Sequence, residues 1–166
     1  PDRFEITTLT ARSNWQRLAE QAREFGADSV VIADERFYEP LKETLKREPV
    51  KVYAGAEAVE QCCENGSVHT VVNALVGYAG LHPTVAALRT GKKLALANKE
   101  SLVVGGDYVM RLSREKEAPI LPIDSEHSAI FQCLMGEHAP IRRLIVTCSG
   151  GALRDLPREA MADVTP

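Results

Sequence analysis

Two carboxylates bracket a serine in the stretch PILPIDSEHSAIFQ, Pro119 to Gln132, where Asp124, Ser125 and Glu126 run directly into His127. In extended chain, residues two apart point the same way, so Asp124 and Glu126 could offer hard oxygens to one divalent cation. Mg²⁺ or Mn²⁺ suits such ligands and leaves positions for substrate and a further carboxylate. The same residues also describe a helix start, with Asp124 as N-cap and Glu126 in the first turn, and spacing alone favours that cap. A nucleophilic triad is a weaker reading, because Ser125 lacks the glycines of a nucleophile elbow and the sequence names no acid to orient His127.

Three other groups stand where strands should end, the place at which parallel α/β sheets bind ligands. In LALANKESLV a buried strand delivers Asn98, Lys99, Glu100 and Ser101 to a helix start. Glu100 and Ser101 suit that start, whereas Lys99 puts a cation at the positive end of the helix dipole, a placement that points to an anionic or electron-rich ligand as readily as to a plain solvated lysine. In TARSN the acid that would hold an NAD ribose is absent, and Arg12, Ser13 and Asn14 offer chemistry suited to the 2′-phosphate of NADPH. Asn14 or Ser13 could equally be a plain helix cap. In IVTCSGG, Ser149 and the two following glycines could receive a phosphate or simply form a turn. Ser149 is no elbow nucleophile, since Thr147 stands where the first glycine is needed. No GxGxxG turn occurs, and Gly77 to Gly80, GYAG, is too loose to replace it. A dinucleotide-binding reading therefore puts the first strand-helix unit upstream of Pro1.

The elements that must position these residues alternate. FEITTLTA reads as a strand and NWQRLAEQAREFG as a helix stopped by Gly26. DSVVIAD lacks alternation, as a strand buried on both faces should, and Asp34 can cap the helix through ERFYEPLKETLKRE. VKVYAG, HTVVNALV and KKLALAN are further strands, each followed by a helical stretch. Such alternation predicts an α/β fold, a parallel sheet wrapped by helices. Near Pro119 the texture changes: PILPID reads as a strand, SEHSAIFQCL as a helix and IRRLIVTCSGG as a strand, so a second domain is expected to begin there. Both ends look abrupt, and no fixed-period repeat or linker-like segment appears.

Bulk properties narrow the classes. A chain of 166 residues, 45% hydrophobic and 26% charged, is long enough for a real core. Its net charge of −3, with Lys and Arg interspersed among Glu, argues against nucleic acid as a partner. The apolar stretches fall short of the roughly 20 residues that cross a bilayer, so no membrane partner is expected. The cysteines Cys62, Cys63, Cys133 and Cys148 form no CxxC, which suits a reducing compartment better than a disulfide framework.

Taken together and in this order, LANKESLV, LPIDSEHSAIFQ and SGG resemble the 1-deoxy-D-xylulose 5-phosphate reductoisomerase family. The resemblance spans essentially the whole chain. It implies a Rossmann-like parallel-sheet NADPH-binding domain over residues 1–121, without its first unit, followed over 122–166 by the start of an α/β (α+β) catalytic domain that binds metal and substrate. It also implies NADPH-dependent conversion of a sugar phosphate to 2-C-methyl-D-erythritol 4-phosphate in non-mevalonate isoprenoid synthesis, with Mg²⁺, Mn²⁺ or Co²⁺ as the metal. Asp124 and Glu126 match metal carboxylates. Lys99, Ser125 and Glu126 match groups at the substrate, with Lys99, Asp124 and Glu126 in the catalytic roles, and Ser149 matches a phosphate-binding serine. Asn98 and Glu100 flank the nicotinamide cofactor, while Arg12, Ser13 and Asn14 fall at the adenosine end. The resemblance further implies a homodimer, cytoplasmic in bacteria or plastid-located in a plastid-bearing organism. Arg12-Ser13 stands where Gly-Lys is usual, and Ala152-Leu153 where Pro-Phe is. The Gly-rich turn, the lid, the third metal carboxylate and the rest of the phosphate site are not present, so the segment alone is expected not to turn over. Competing readings are another NADP-dependent dehydrogenase, which needs no Asp-Ser-Glu cluster, and a non-catalytic α/β binding module.

Overall fold

The computed structural model describes residues 3–147 and 154–164. The chain divides into two compact units, Pro1–Leu121 and Pro122–Pro166.

The first unit is α/β with parallel sheets. Strands β1 (Thr8–Ala11), β2 (Ser29–Ile32) and β3 (Lys51–Ala54) form one three-stranded sheet in the order β1-β2-β3, all parallel. Strands β4 (Thr70–Asn73), β5 (Lys93–Leu96) and β6 (Ile120–Pro122) form a second, in the order β4-β5-β6, with β4 and β5 parallel. Val30, Val31 and Ile32 of the central strand β2 are buried, which is what an unbroken apolar run in a covered parallel strand requires. Among the described residues β1 and β4 each pair on one side only, and Val72 of β4 is 65% exposed.

Each sheet has its own core. Helix α1 (Trp15–Phe25) turns Leu18, Ala19 and Ala22 inward, where they join Val30, Ile32 and two leucines of α2 (Tyr38–Leu45), Leu41 and Leu45. Burying a leucine such as Leu18 contributes about 1.5–3 kcal/mol over leaving it in water. Asn14 starts α1, its Oδ1 accepting from the Arg17 N–H at 3.1 Å, and Gly26 ends it in the left-handed region at φ 64°. Helices α4 (Leu81–Arg89) and α5 (Glu100–Glu115) lie over the second sheet, and α3 (Ala56–Glu64) packs against α4 and against β2 and β3, with Cys63, Leu88, Leu94, Leu96, Val109 and Leu112 at the centre. The Cys62 and Cys63 thiols donate to the Val59 carbonyl at 3.1 and 3.3 Å, which accounts for a cysteine pair within a helix.

Several expectations differ from the structure. The first strand begins at Thr8 rather than Phe4, which is 86% exposed. Asp34 caps a short 3₁₀ helix, Glu35–Phe37, before α2 begins. Gly77–Gly80 is also a short 3₁₀ helix, leading straight into α4.

In the second unit, α6 (Ser125–Leu134) is followed further along by a short 3₁₀ helix, Arg158–Asp163. The strand expected over IRRLIVT does not form: residues 141–147 carry no regular structure, and Ile141, Leu144, Ile145 and Val146 are exposed. A strand exists only by pairing, and no described segment pairs with this one.

Candidate functional site

At the end of β1, Arg12, Ser13 and Asn14 form an exposed turn into α1. The Arg12 carbonyl accepts from the Asp34 N–H at 2.9 Å, which ties this turn to the end of β2. Asp34 is held down to about 2, first by its hydrogen bond with the Arg36 guanidinium, at 2.6 and 2.9 Å, with the positive charge of Arg12 adding to the effect. Asn14 spends its Oδ1 on the helix cap, so its Nδ2 group is the part that can still donate to a ligand.

The end of β5 carries Asn98, Lys99 and Glu100 into α5. Lys99 is exposed and stands at the N-cap with helical backbone angles. Asn98 is 1% exposed and faces the interior. Its Nδ2 lies 2.6 Å from the Leu75 carbonyl, 3.0 Å from that of Gly77 and 3.1 Å from Glu100 Oε2. Its Oδ1 accepts from the backbone N–H of Ser101 at 3.1 Å and from the Ser101 hydroxyl. Two hydrogens facing three acceptors means one bond is shared, and a buried amide requires such pairing.

A matching asparagine, Asn73, closes β4 and is 2% exposed. Its Nδ2 donates to the Gly80 carbonyl at 2.8 Å and to Thr84 Oγ1 at 2.9 Å, while its Oδ1 accepts from Leu75 N–H at 3.2 Å. The sequence reading passed over Asn73 and Thr84. The available signal was a polar letter ending each of two apolar strands, TVVN and LALAN.

In the second unit, Asp124 has extended backbone angles and caps α6, its side chain accepting from the His127 N–H at 3.1 Å. The same Oδ1 lies 2.8 Å from His127 Nδ1, so the acid that orients His127 is Asp124 itself. Ser125 and Glu126 fall in the first helical turn, so the extended spacing that would aim both carboxylates alike applies to Asp124 alone. Cap and ligand are nonetheless compatible, because a carboxylate has about four lone-pair sites. The described residues hold no group of three or more acidic, His or Cys side chains gathered for a metal. Two carboxylates still fit Mg²⁺ or Mn²⁺, which keep several waters and take oxygens from substrate. Ser149 lies outside the described residues.

Residues 1–106 match the profile of 1-deoxy-D-xylulose 5-phosphate reductoisomerase, and residues 120–166 match that of the enzyme's C-terminal domain. The chain belongs to this family. A Bacteroides fragilis relative, a 1-deoxy-D-xylulose 5-phosphate reductoisomerase, is 51% identical over an alignment of 166 positions that covers 99% of this chain and 43% of that protein. A chloroplastic reductoisomerase of Mentha piperita is 44% identical, across 36% of its length. Among solved structures, the Zymomonas mobilis reductoisomerase in complex with NADPH superposes with a TM-score of 0.84 at 43% identity, covering 99% of this chain and 44% of that one. A reductoisomerase in complex with NADPH, fosmidomycin and magnesium gives 0.76 at 39% identity, covering 80% of this chain and 33% of that one. The chain thus spans less than half the length of these relatives.

The family frame sorts the strand ends. Arg12 to Asn14 and Asn98 to Glu100 lie in the first unit, within the NADPH-domain match, and Asp124 to Glu126 lie in the second, within the C-terminal match. No helix among the described residues is long and apolar enough to cross a membrane.

Proposed function

We propose that the full-length protein is an NADPH- and divalent-metal-dependent reductoisomerase that converts 1-deoxy-D-xylulose 5-phosphate to 2-C-methyl-D-erythritol 4-phosphate. The observation that carries this reading is family membership across both matched regions, with Lys99 and the Asp124-Ser125-Glu126 cluster standing at helix starts. The relatives' complexes with NADPH and magnesium support the same cofactors.

Asp124 and Glu126 would hold the cation, and Ser125 would donate its hydroxyl to a neighbouring substrate oxygen. When bound, the cation polarises a substrate carbonyl and NADPH supplies the reducing equivalent. Lys99, exposed at the start of α5, would add a positive group beside a substrate anion. Ser149 would take part in holding the phosphate. Arg12 would pair with the 2′-phosphate through charge-assisted hydrogen bonds, beside donors from Ser13 and Asn14, while Asn98 and Glu100 would stand at the nicotinamide end.

The open edges of β1 and β4 support the cofactor assignment. One strand, x, between them would give a seven-stranded sheet in the order β3-β2-β1-x-β4-β5-β6, whose order reverses at x, the switch point where a dinucleotide binds. Assembly as a homodimer rests on the family resemblance alone. Placement in the bacterial cytoplasm, or in a plastid, follows the bacterial and chloroplastic relatives.

The test is oxidation of NADPH by the full-length protein on addition of 1-deoxy-D-xylulose 5-phosphate. Turnover that stops in EDTA and returns with Mn²⁺ supports the reading. Metal-independent turnover of another substrate would instead support an ordinary NADP-dependent dehydrogenase. The 166-residue segment alone is proposed to show no turnover, because it spans less than half the length of its relatives.

A further inference from the structure

We infer that Asn73, Thr84, Ser101 and Asn98 are positioning residues, which fix the Leu75–Gly77 loop as the surface that seats the nicotinamide half of the dinucleotide. The inference deepens the NADPH reading above and rests on it.

The four side chains form one chain of hydrogen bonds beneath the loop. Asn73 Nδ2 donates to Thr84 Oγ1 at 2.9 Å, Thr84 Oγ1 lies 3.5 Å from Ser101 Oγ, and the Ser101 hydroxyl donates to Asn98 Oδ1. Asn98 Nδ2 then donates to the carbonyls of Leu75 and Gly77. Donors and acceptors succeed one another in a single direction, and each bond so arranged polarises the next. All four residues are at most 2% exposed. Buried side-chain nitrogens and oxygens without a partner are absent among the described residues, so the network is fully satisfied. A satisfied buried network imposes one arrangement, where an apolar core would tolerate several.

What it fixes is a short loop. Leu75 is held at both backbone groups, its N–H by Asn73 at 3.2 Å and its carbonyl by Asn98 at 2.6 Å. Gly80, at the other end, is held through its carbonyl by Asn73. Between them, Val76 is 87% and Tyr78 61% exposed. A backbone pinned from beneath, with apolar side chains left in water above, lies at the carboxyl ends of β4 and β5, where parallel sheets receive ligands. A flat heteroaromatic ring with a carboxamide matches such a surface: apolar side chains against its face and fixed backbone groups at its edge.

The full-length protein tests this through two ligands, NADPH and 2′-phospho-ADP-ribose, which shares the adenosine end and lacks the nicotinamide. Binding of each is measured by calorimetry in the parent protein, in Thr84→Val and in Ser101→Ala, with thermal midpoints recorded in parallel. In both variants NADPH should weaken about tenfold, because a loosened seat loses orientation, while 2′-phospho-ADP-ribose holds within about twofold. Thr84→Ser keeps the hydroxyl and should restore the parent ratio; if Thr84→Val does not fold, Ser101→Ala carries the comparison. A lowered thermal midpoint with an unchanged ratio of the two affinities marks a purely structural network and overturns the inference. Failure of the parent protein to bind NADPH at all overturns the proposed function, and the inference with it.

Discussion

Gly80 and Asn98 are so close that a Cβ on Gly80 would lie 2.7 Å from Asn98 Nδ2 and nearer still to its Cγ and Oδ1. The glycine is required by this approach, not by its own backbone angles, φ −78° and ψ −16°. Gly80→Ala must therefore push Asn98 off the Leu75 and Gly77 carbonyls. The expected destabilisation is about 1–3 kcal/mol, from overpacking and unmet hydrogen bonds together. Gly106→Ala is the contrasting change, since nothing lies within 4 Å of its added methyl, just past the kink that Gly105 makes in α5 at φ −136° and ψ 27°. It should stabilise by about 0.4–1 kcal/mol, chiefly by reducing the freedom of the unfolded chain. Urea unfolding midpoints of the two variants check both signs.

Removing the Arg12 guanidinium should discriminate between the two nicotinamide cofactors. Arg12→Ala would delete the charge-assisted contact proposed with the 2′-phosphate, which only NADPH carries, so its KM for NADPH should rise about tenfold to a hundredfold. The KM for NADH should stay nearly constant. Equal changes for both cofactors would place the 2′-phosphate elsewhere.

Asp34 gives the pH dependence that can be stated with its sign. Its carboxyl is lowered from 3.8 to about 2, chiefly by the Arg36 hydrogen bond. A carboxyl whose folded pKa is depressed adds stability that is complete above its unfolded value and lost as pH falls through the folded one. The window here is thus below 3.8, extending towards 2. Carboxyl NMR shifts should titrate Asp34 near 2 in the parent protein and closer to 3.8 in Arg36→Gln.

How much of this was legible in the sequence depended on how local the cause is. Asn14 and Gly26 bound α1 through contacts within the helix itself, and both ends were readable. Asp124 was readable as a cap for the same reason, its partner being only three residues away. A cap and a metal ligand ask for the same carboxylate, so the residue types alone could not choose between them, and the structure shows that the cap is made. The orienting bond from Asp124 to His127 needed the helical turn to exist first. Asn73 was missed because its partners lie seven and eleven residues away, across a turn whose shape no local rule supplies. The strand expected over 141–147 failed for a related reason: β-branched residues and leucines favour pairing, but the neighbour that makes a strand is not a local property.

The central claim is that Asp124 and Glu126 hold a divalent cation. Mn²⁺ binding to the full-length protein, followed by electron paramagnetic resonance, tests it most directly with the parent, Asp124→Asn and Glu126→Gln. Asparagine caps a helix as well as aspartate does, so a loss in Asp124→Asn reports coordination and not fraying of α6. The account predicts that each substitution weakens Mn²⁺ binding at least about tenfold, as loss of a ligand should. Unchanged Mn²⁺ affinity in both variants would contradict it.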